Sequence, residues 1–295
     1  MPVARPLPRL RPDPIPAIHP EPEYRASGQR AEWYLQMKSA LQVPWMGVVT
    51  MAYAHYPAFF AELWRGLQPL VSTTQFVQAS RALRAQAEQL AAALEPPSIT
   101  QRLHALGYAG RELDQIRDTI EVFSHGNYPY LLIASLARLL LEGGEPQGSP
   151  EATRFAGRHA PDVDVALTLM EPHHVDGPTR ALYADIRSTL GLPFVNTDYR
   201  ALARWPSYFA LAWTEIRPLV TSPGHASACQ AVHERALGMV ARELPNPGVL
   251  SAEALRAAAG ADAPLEEILA VARLFQWLLP GLVINVALLE RQLAR

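Results

Sequence analysis

The chain has 295 residues, of which 49% are hydrophobic and 18% are charged, and its formal net charge is -2 at pH 7. A chain this apolar is not disordered, and a net charge this close to zero excludes strong attraction to nucleic acid. The single cysteine, Cys229, excludes an intrachain disulfide and any site built from several thiolates. We therefore expect an intracellular globular protein, located in the cytoplasm, that does not bind nucleic acid.

Residues 1–24 form the first predicted segment and hold eight of the 27 prolines. They lack the apolar core of a signal peptide, so we predict an extended N-terminal arm. Farther along, the most apolar segments are residues 130–141 and 274–289. Both are short for a membrane span of roughly 20 residues, and both are interrupted by polar or charged residues. We expect no transmembrane helix and no membrane partner.

Helical periodicity follows the arm. Large apolar residues recur every three or four positions over residues 59–67, which predicts a helix with Pro57 near its start and Pro69 past its end. Two further helices are predicted over residues 72–97 and 128–144. No segment alternates strictly between apolar and polar residues, and no hairpin signal is present, so the predicted class is all-α.

An internal repeat organises the chain. Residues 34–71 align without a gap on residues 183–220, at an offset of 149 positions, with 13 identities in 38 positions. A second block aligns at an offset of 152, where four apolar residues of the first copy match four of the second: Leu113, Ile116, Phe123 and Leu136 with Leu265, Ile268, Phe275 and Leu288. We predict a tandem duplication of a helical bundle of about 130 residues, folded as a pseudo-dimer with pseudo-twofold symmetry.

The repeat predicts the domain organisation. The arm at 1–24 precedes a first helical repeat at 25–142, a Gly/Pro/Ser-rich linker at 143–172 and a second helical repeat at 173–295. We expect the two repeats to pack as a single compact unit, with one cleft between them as the candidate active site.

Matched positions that differ in character are candidates for chemistry, because packing alone would keep them alike. The second copy has polar residues, Asn196, Thr197 and Asp198, where the first copy has Gly47, Val48 and Val49. In the second block the polar residue belongs to the first copy instead, since Asn127 matches Leu279 of the second copy. If corresponding loops of the two copies meet, one cleft contains Asp198 and Asn127 among apolar walls.

Ordinary structural roles are the alternative for each of these residues. The run from Asn196 to Asp198 stands before an apolar stretch, as a helix N-cap does, and Gly126 with Asn127 is typical of a turn. His173 and His174 suggest a metal, but adjacent histidines do not have the spacing that converges on one ion, and no metal is expected. The rival function is a non-catalytic helical scaffold that binds a small acid or a partner helix.

Three separated motifs carry a resemblance to a known family. They are VPWMG from Val43, FSHGNYPYLLI from Phe123 and NTDYRALARWP from Asn196. Together they resemble the group I 2-haloacid dehalogenases, which act on D- or on both D- and L-2-haloalkanoic acids, and the similarity extends from Tyr24 to the C terminus. The resemblance implies an α-helical pseudo-dimer, hydrolysis of 2-haloalkanoic acids to 2-hydroxyalkanoic acids, no metal or organic cofactor, and a homodimer. A hydrolase of the same fold that acts on another α-substituted acid is the nearest alternative.

The resemblance also implies roles for single residues. In this family an Asp and an Asn activate a water that displaces halide directly from C2, with inversion and without a covalent ester. The matching residues are Asp198, as the base, and Asn127, which positions the water. Thr197 and the free amides that begin its helix would bind the substrate carboxylate. The implied halide pocket is apolar and consists of Trp45, Val48, Trp277, Pro280, Gly281 and Ile284.

Three positions depart from a pattern common in the family. The position of Val48 is usually aromatic in members that accept both enantiomers, and the position of Trp277 is often Tyr, which leaves the pocket volume and halogen preference open. Asn196 stands where members accepting both enantiomers have Ala and D-specific members have Asn. A carboxamide at that position predicts a preference for D-2-haloacids.

Overall fold

The computed structural model describes residues 7–163 and 165–294. Within these residues the regular structure is helical, apart from one isolated β-bridge between Thr73 and Arg154. The predicted all-α class is confirmed. The first half of the chain forms α1 (Gly28–Leu41), α2 (Val48–Tyr53), α3 (Pro57–Val71), α4 (Thr74–Ala92), α5 (Thr100–Ala105) and α6 (Gly110–Leu141). The second half forms α7 (Gly177–Leu190), α8 (Thr197–Leu202), α9 (Pro206–Val220), α10 (Pro223–Gly238), α11 (Ala252–Asp262) and α12 (Leu265–Gln292).

Proline positions correct the predicted helix ends. Pro69 lies inside α3, and Pro218 lies inside α9, although the sequence pattern placed Pro69 beyond the helix. Each proline occupies the last turn of its helix. There the ring removes the N–H group that would bond the carbonyl four residues earlier, and the helix ends two residues later.

The predicted arm has little regular structure. Residues 7–22 form no helix or strand, and a short 3₁₀ helix follows at Glu23–Arg25. Residues 1–6 of the predicted arm lie outside the described residues. The sequence-based boundaries of the arm, the two repeats and the linker stay predictions.

The chain divides into two compact units. The first comprises the chain up to Leu83 together with Gly126–Ala160 and Ala231–Pro280. Its core contains fully buried aromatic rings, of which Tyr53 packs edge-on against Phe59 and Phe275 with ring centroids 5.5 and 6.1 Å apart.

A distant carboxylate fixes the start of α3 in this first unit. The carboxylate of Asp262 accepts hydrogen bonds from the amides of Ala58 and Phe59, at 3.1 and 2.7 Å. A negative charge at this position is favoured by the helix dipole. The contact orients α3, whose N-cap residue Tyr56 supplies no capping side chain.

The second unit comprises Arg84–His125, Pro161–Gln230 and the chain from Gly281 onward. Tyr199 of α8 is buried in this unit, with the rings of Phe209 and Trp213 of α9 at centroid distances of 6.2 and 6.5 Å. Trp213 Nε1 donates to Asp185 Oδ2 of α7 at 2.7 Å. These contacts hold α8 against α9, and α9 against α7, within the unit.

The helix α12 is long and apolar enough to cross a membrane by length and composition alone. Its most apolar window is 72% buried inside the protein, as expected for a core helix. Burial against other helices accounts for its hydropathy, so the sequence-based expectation of no membrane span stays in place.

Candidate active site

The run Asn196–Asp198 forms the start of α8. Asn196 is the N-cap residue, with an extended backbone (φ -61°, ψ 156°), and Thr197 and Asp198 begin the first turn. The N-cap position agrees with one sequence-based alternative, but the Asn196 side chain makes no capping hydrogen bond. All three side chains are buried.

The Asn196 amide oxygen is unusual in its surroundings. Asn196 is only 4% exposed, yet among the described residues Oδ1 has no hydrogen-bond partner. Leaving a buried acceptor without a partner costs about 1–3 kcal/mol. Most buried acceptors in folded proteins are bonded, so this atom makes Asn196 a candidate for contact with a ligand.

Asp198 places a carboxylate in the first turn of a helix, where the helix dipole favours negative charge. Asp198 is 2% exposed. Its neighbours in α8 are anchored from outside the helix. Arg200 forms an ion pair with Glu171 and donates from Nη2 to Thr197 Oγ1 at 3.3 Å. The amide of Met170 donates to the carbonyl of Arg200 at 3.0 Å.

Asn127 lies in the middle of α6, so the turn expected as an alternative for Gly126 and Asn127 is wrong. The helix passes through both residues and also through Pro129, whose missing N–H group is tolerated within this long helix. Asn127 is buried, at 4% exposed. The helical conformation fixes the direction of its side chain more tightly than a turn would.

Trp45 packs against α6 beside Asn127 in the first unit. A Cβ atom at Gly126 would lie 2.3 Å from Trp45 Cη2, so the indole occupies the space that only glycine leaves open. Tyr130, one helical turn from Gly126, donates from its hydroxyl to the carbonyl of Trp45 at 2.8 Å. The structure thus brings Trp45 and the Asn127 segment together.

The segment before α2 is pinned to the same helix. A Cβ atom at Gly47 would lie 2.9 Å from the ring of Tyr130. The amide of Met46 donates to Glu23 Oε1 at 2.7 Å. Val48 then begins α2 and is partly exposed. These contacts place Val48 at a fixed point next to the Trp45 segment.

The other predicted pocket residues lie on α12. Trp277 and Pro280 belong to the first unit, Gly281 and Ile284 to the second. Pro280 and Ile284 are buried, whereas Trp277 and Gly281 are partly exposed. Gly281 follows Pro280 within the helix and adds no side chain to its surface.

The N-terminal arm contacts Trp277, which sequence reasoning missed. Arg9 Nε donates to the carbonyl of Trp277 at 3.0 Å, and the guanidinium of Arg11 lies 5.9 Å from the centroid of the indole. An arginine at this distance over a tryptophan face is attracted by its π electrons. The arm is therefore a neighbour of a predicted pocket residue within the first unit.

Buried donors hold the arm in place. His233 Nε2 contacts the carbonyl of Leu7 at 2.8 Å, and Arg138 Nη1 donates to the carbonyl of Pro8 at 3.0 Å. Burial lowers the pKa of His233, which favours the neutral ring. The neutral ring donates from Nε2 and accepts at Nδ1 from Gln276 Nε2 at 3.0 Å. The anchoring residues are far apart in sequence, so no local pattern predicted them.

Within residues 7–163 and 165–294, no three His, Cys, Asp or Glu side chains group closely enough to hold a metal ion. The rings of His173 and His174 are in contact, with centroids 4.0 Å apart and an angle of 57° between the ring planes.

Known proteins are similar to this chain in sequence and in fold. The family model described as halocarboxylic acid dehydrogenase DehI matches residues 44–192. The chain is 49% identical over 248 residues to the (R)-2-haloacid dehalogenase of Rhizobium sp. (strain NHG3), an alignment that covers 84% of this chain and 96% of that protein. The chain belongs to the DehI family. The resemblance inferred from the three motifs is confirmed.

The (R)-2-haloacid dehalogenase of Pseudomonas putida is 37% identical over 281 residues, which cover 93% of this chain and 92% of that protein. Among solved structures, the complex of a D-2-haloacid dehalogenase mutant with D-2-CPA matches with a TM-score of 0.84 and 34% identity. The match covers 95% of this chain and 97% of that chain. The protein is an enzyme of the DehI family.

Proposed function

We propose that the protein hydrolyses D-2-haloalkanoic acids to 2-hydroxyalkanoic acids. Water supplies the hydroxyl oxygen, the carbon–halogen bond at C2 breaks, and halide and a proton are released. Membership of the DehI family supports hydrolytic dehalogenation of 2-haloacids. The observation that carries the finer proposal is the buried start of α8, where Asp198 follows an Asn196 amide oxygen that has no partner among the described residues.

Asp198 is the proposed general base. A carboxylate within about 3 Å of a water can remove its proton as the oxygen attacks carbon. Asn127 is the proposed positioning group, because an amide both donates to and accepts from one water without adding charge. Attack then takes place opposite the leaving halide and inverts C2, with no ester formed on the enzyme. Burial of both side chains supports these roles, since a dry site strengthens each hydrogen bond.

Thr197 is the proposed contact for the substrate carboxylate. Arg200 Nη2 donates to Thr197 Oγ1, so the oxygen is used as an acceptor and its hydrogen stays available to donate. The residues proposed to receive the halide are Trp45, Val48, Trp277, Pro280, Gly281 and Ile284. A large, weakly hydrated halide is better accommodated by such walls than by a compact cation.

Asn196 is the proposed enantiomer filter. Its carboxamide stands two residues from Asp198 and makes no capping bond, which supports a role toward the substrate. The amide would occupy the space that the C2 substituent of an L-substrate needs. We also propose that the preference for D-2-haloacids follows from this single side chain.

We further propose that the chain is a tandem duplication that forms a pseudo-dimer. Three pairs of helices have equal lengths at an offset of 149: α1 and α7 with 14 residues, α2 and α8 with six, α3 and α9 with 15. A matched contact supports the same view. Trp64 Nε1 donates to Gln36 at 2.8 Å, and Trp213 Nε1 donates to Asp185 at 2.7 Å. A homodimer in the cytoplasm is the proposed state in the cell.

Halide release from separate D- and L-2-chloropropionate tests the proposed function. The wild-type protein is expected to release chloride from the D-form, and Asp198→Asn is expected to abolish release while the protein stays folded. Asp176→Asn is the matched control, because Asp176 caps α7 by accepting from the amide of Thr179 at 2.9 Å. Release that persists in Asp198→Asn would contradict the assigned base. No release by folded wild-type protein would favour the scaffold or another α-substituted acid.

A further inference from the structure

Three buried polar side chains form a hydrogen-bonded chain in the second unit. His225 Nε2 lies 2.8 Å from Asn285 Oδ1, and Asn285 Nδ2 donates to the hydroxyl of Tyr199 at 2.9 Å. All three residues are at most 7% exposed. The chain connects α10 to α12 and then to α8, where Tyr199 directly follows Asp198 in sequence.

The arrangement defines the proton positions. Because Asn285 uses its amide nitrogen toward Tyr199, its oxygen accepts from the protonated Nε2 of His225. Cys229 Sγ also contacts the ring, 3.6 Å from His225 Nδ1 and 3.8 Å from Nε2. Burial raises the pKa of Tyr199, with Asn285 opposing the shift, so the phenol stays neutral. The Tyr199 phenol is therefore neutral, and both ends of the Asn285 amide are used.

The matched positions of the first copy carry no such chain. Thr50 stands at the position of Tyr199, Ile133 at that of Asn285 and Phe76 at that of His225. Thr50 Oγ1 bonds only within its own turn, to the carbonyl of Gly47 at 2.9 Å. The core of a matched helix therefore packs without these polar groups.

Polar burial is costly unless every group is bonded, so packing alone does not explain the chain. These buried polar groups are found in the second copy, which also carries Asp198, and one of them, Tyr199, lies on the same helix as Asp198. That helix is six residues long and has no side-chain N-cap bond. So short a helix has little stability of its own and depends on contacts from outside.

We propose that His225, Asn285 and Tyr199 are positioning residues that hold the first turn of α8, and with it Asn196 and Asp198, in the geometry the reaction needs. The inference rests on the proposed function, since it assigns Asp198 as the base. Asn285 also follows Ile284, a predicted pocket residue, on α12. The three hydrogen-bonded side chains thus fix the position of the start of α8 and of the α12 segment that carries Ile284, both in the second unit.

Two variants test the positioning chain. Tyr199→Phe removes only the hydroxyl, and Asn285→Leu removes both amide bonds at similar volume. Each is expected to lower kcat for D-2-chloropropionate about tenfold or more, with KM changed less than about twofold, because misplacement of a base by a fraction of an ångström acts on the chemical step. The double variant is expected to match the more affected single variant, since both changes break one network.

Gln292→Leu is the matched control. Gln292 is a buried amide on the same helix, and its Nε2 donates to the carbonyl of Ala212 at 3.2 Å in the same unit. Its replacement is expected to lower the melting temperature without changing kcat. Equal kcat losses in Gln292→Leu and the two chain variants would reduce the effect to general destabilisation and overturn the proposal.

Amide hydrogen exchange separates this inference from the proposed function. Tyr199→Phe is expected to speed exchange over residues 197–202 and to leave α9 unchanged. Unchanged exchange in α8, together with kcat within about twofold of the wild type, would overturn the positioning role. If the wild-type protein releases no halide, the proposed function fails, while faster exchange in α8 would still support the holding role of the chain.

Discussion

Gly126 and Trp45 are in such close contact that a Cβ atom on residue 126 would lie 2.3 Å from Trp45 Cη2. The indole therefore rests on the backbone of α6, one residue before Asn127. Trp45 is a predicted wall of the halide pocket, and Asn127 is the proposed positioner of the attacking water. One glycine sets the distance between the pocket wall and the helix that carries the amide.

The change Gly126→Ala tests this contact. Its methyl group would displace the indole or α6, and overpacking of this kind costs about 1–3 kcal/mol of unfolding free energy. Because Asn127 moves with its helix, kcat/KM for D-2-chloropropionate is expected to fall at least about tenfold. Urea unfolding and steady-state kinetics measure the two effects.

Gly260→Ala is the control for this change. Gly260 lies in α11, and a Cβ atom there would have no neighbour within 4 Å. The substitution is expected to raise stability by about 0.5–1 kcal/mol and to leave kinetics unchanged. Full activity in Gly126→Ala would contradict the coupling between Trp45 and Asn127.

The change Asn196→Ala separates an enantiomer filter from a helix cap. A true N-cap side chain contributes roughly 1 kcal/mol, whereas an amide oxygen without a partner contributes none through that atom. Because the buried oxygen has no partner in the described part of the chain, we expect a melting temperature that does not fall, together with a gain of activity on L-2-chloropropionate. The ratio of kcat/KM values for the two enantiomers is the measurement, and a ratio equal to that of the wild type would exclude the filter.

The change Arg11→Ala tests the contact between the arm and Trp277. An exposed arginine over an indole contributes about 0.5–1 kcal/mol, so a loosened pocket wall is expected to raise KM two- to fivefold at constant kcat. Arg25→Ala is the matched control, because Arg25 stacks at 5.6 Å on Tyr24, which is 82% exposed. Equal KM values in the two variants would show that the arm does not support Trp277.

Glu290 predicts a pH dependence of stability. Burial, together with Glu88 and Glu121, raises the pKa of Glu290, despite an ion pair with Arg84. The folded state then binds the proton more tightly than the unfolded state does. As pH rises from the pKa of Glu in the unfolded chain, about 4.3, through the higher pKa in the folded state, ionisation of Glu290 lowers the unfolding free energy.

Glu290→Gln removes that ionisation. The variant is expected to gain stability relative to the wild type as pH rises from 4 to 8, measured by thermal unfolding. Glu62→Gln is expected to show the opposite sign, because a hydrogen bond from Arg65 lowers the pKa of Glu62. A stability difference for Glu290→Gln that is independent of pH would contradict the assigned shift.

Local pattern predicted much of this fold. The three-to-four residue spacing around Phe59 and its match in the second copy indicated helices, and the helical class followed. The same reasoning misjudged Asn127, because Gly and Pro on either side of it are turn residues by local preference. In the structure these residues are accommodated inside α6, where packing of Trp45 on Gly126 outweighs local preference.

The long-range contacts could not be predicted from the sequence. Arg9 contacts Trp277, which is 268 positions away in sequence. Asn285 contacts His225 and Tyr199, which are 60 and 86 positions away. No periodicity encodes such pairs. Comparison of the two copies could have indicated Asn285, since a polar residue replaces Ile133 in a helix core, but it could not have named its partners.

Single turnover of D-2-chloropropionate in ¹⁸O-labelled water, with enzyme in excess, tests the central claim most directly. Direct attack by water held at Asp198 predicts that the first lactate formed carries the label and has the L configuration. Unlabelled lactate in that first turnover would mean that an enzyme carboxylate supplied the oxygen through an ester, and lactate of the D configuration would mean that C2 is not inverted. Either result would contradict the account.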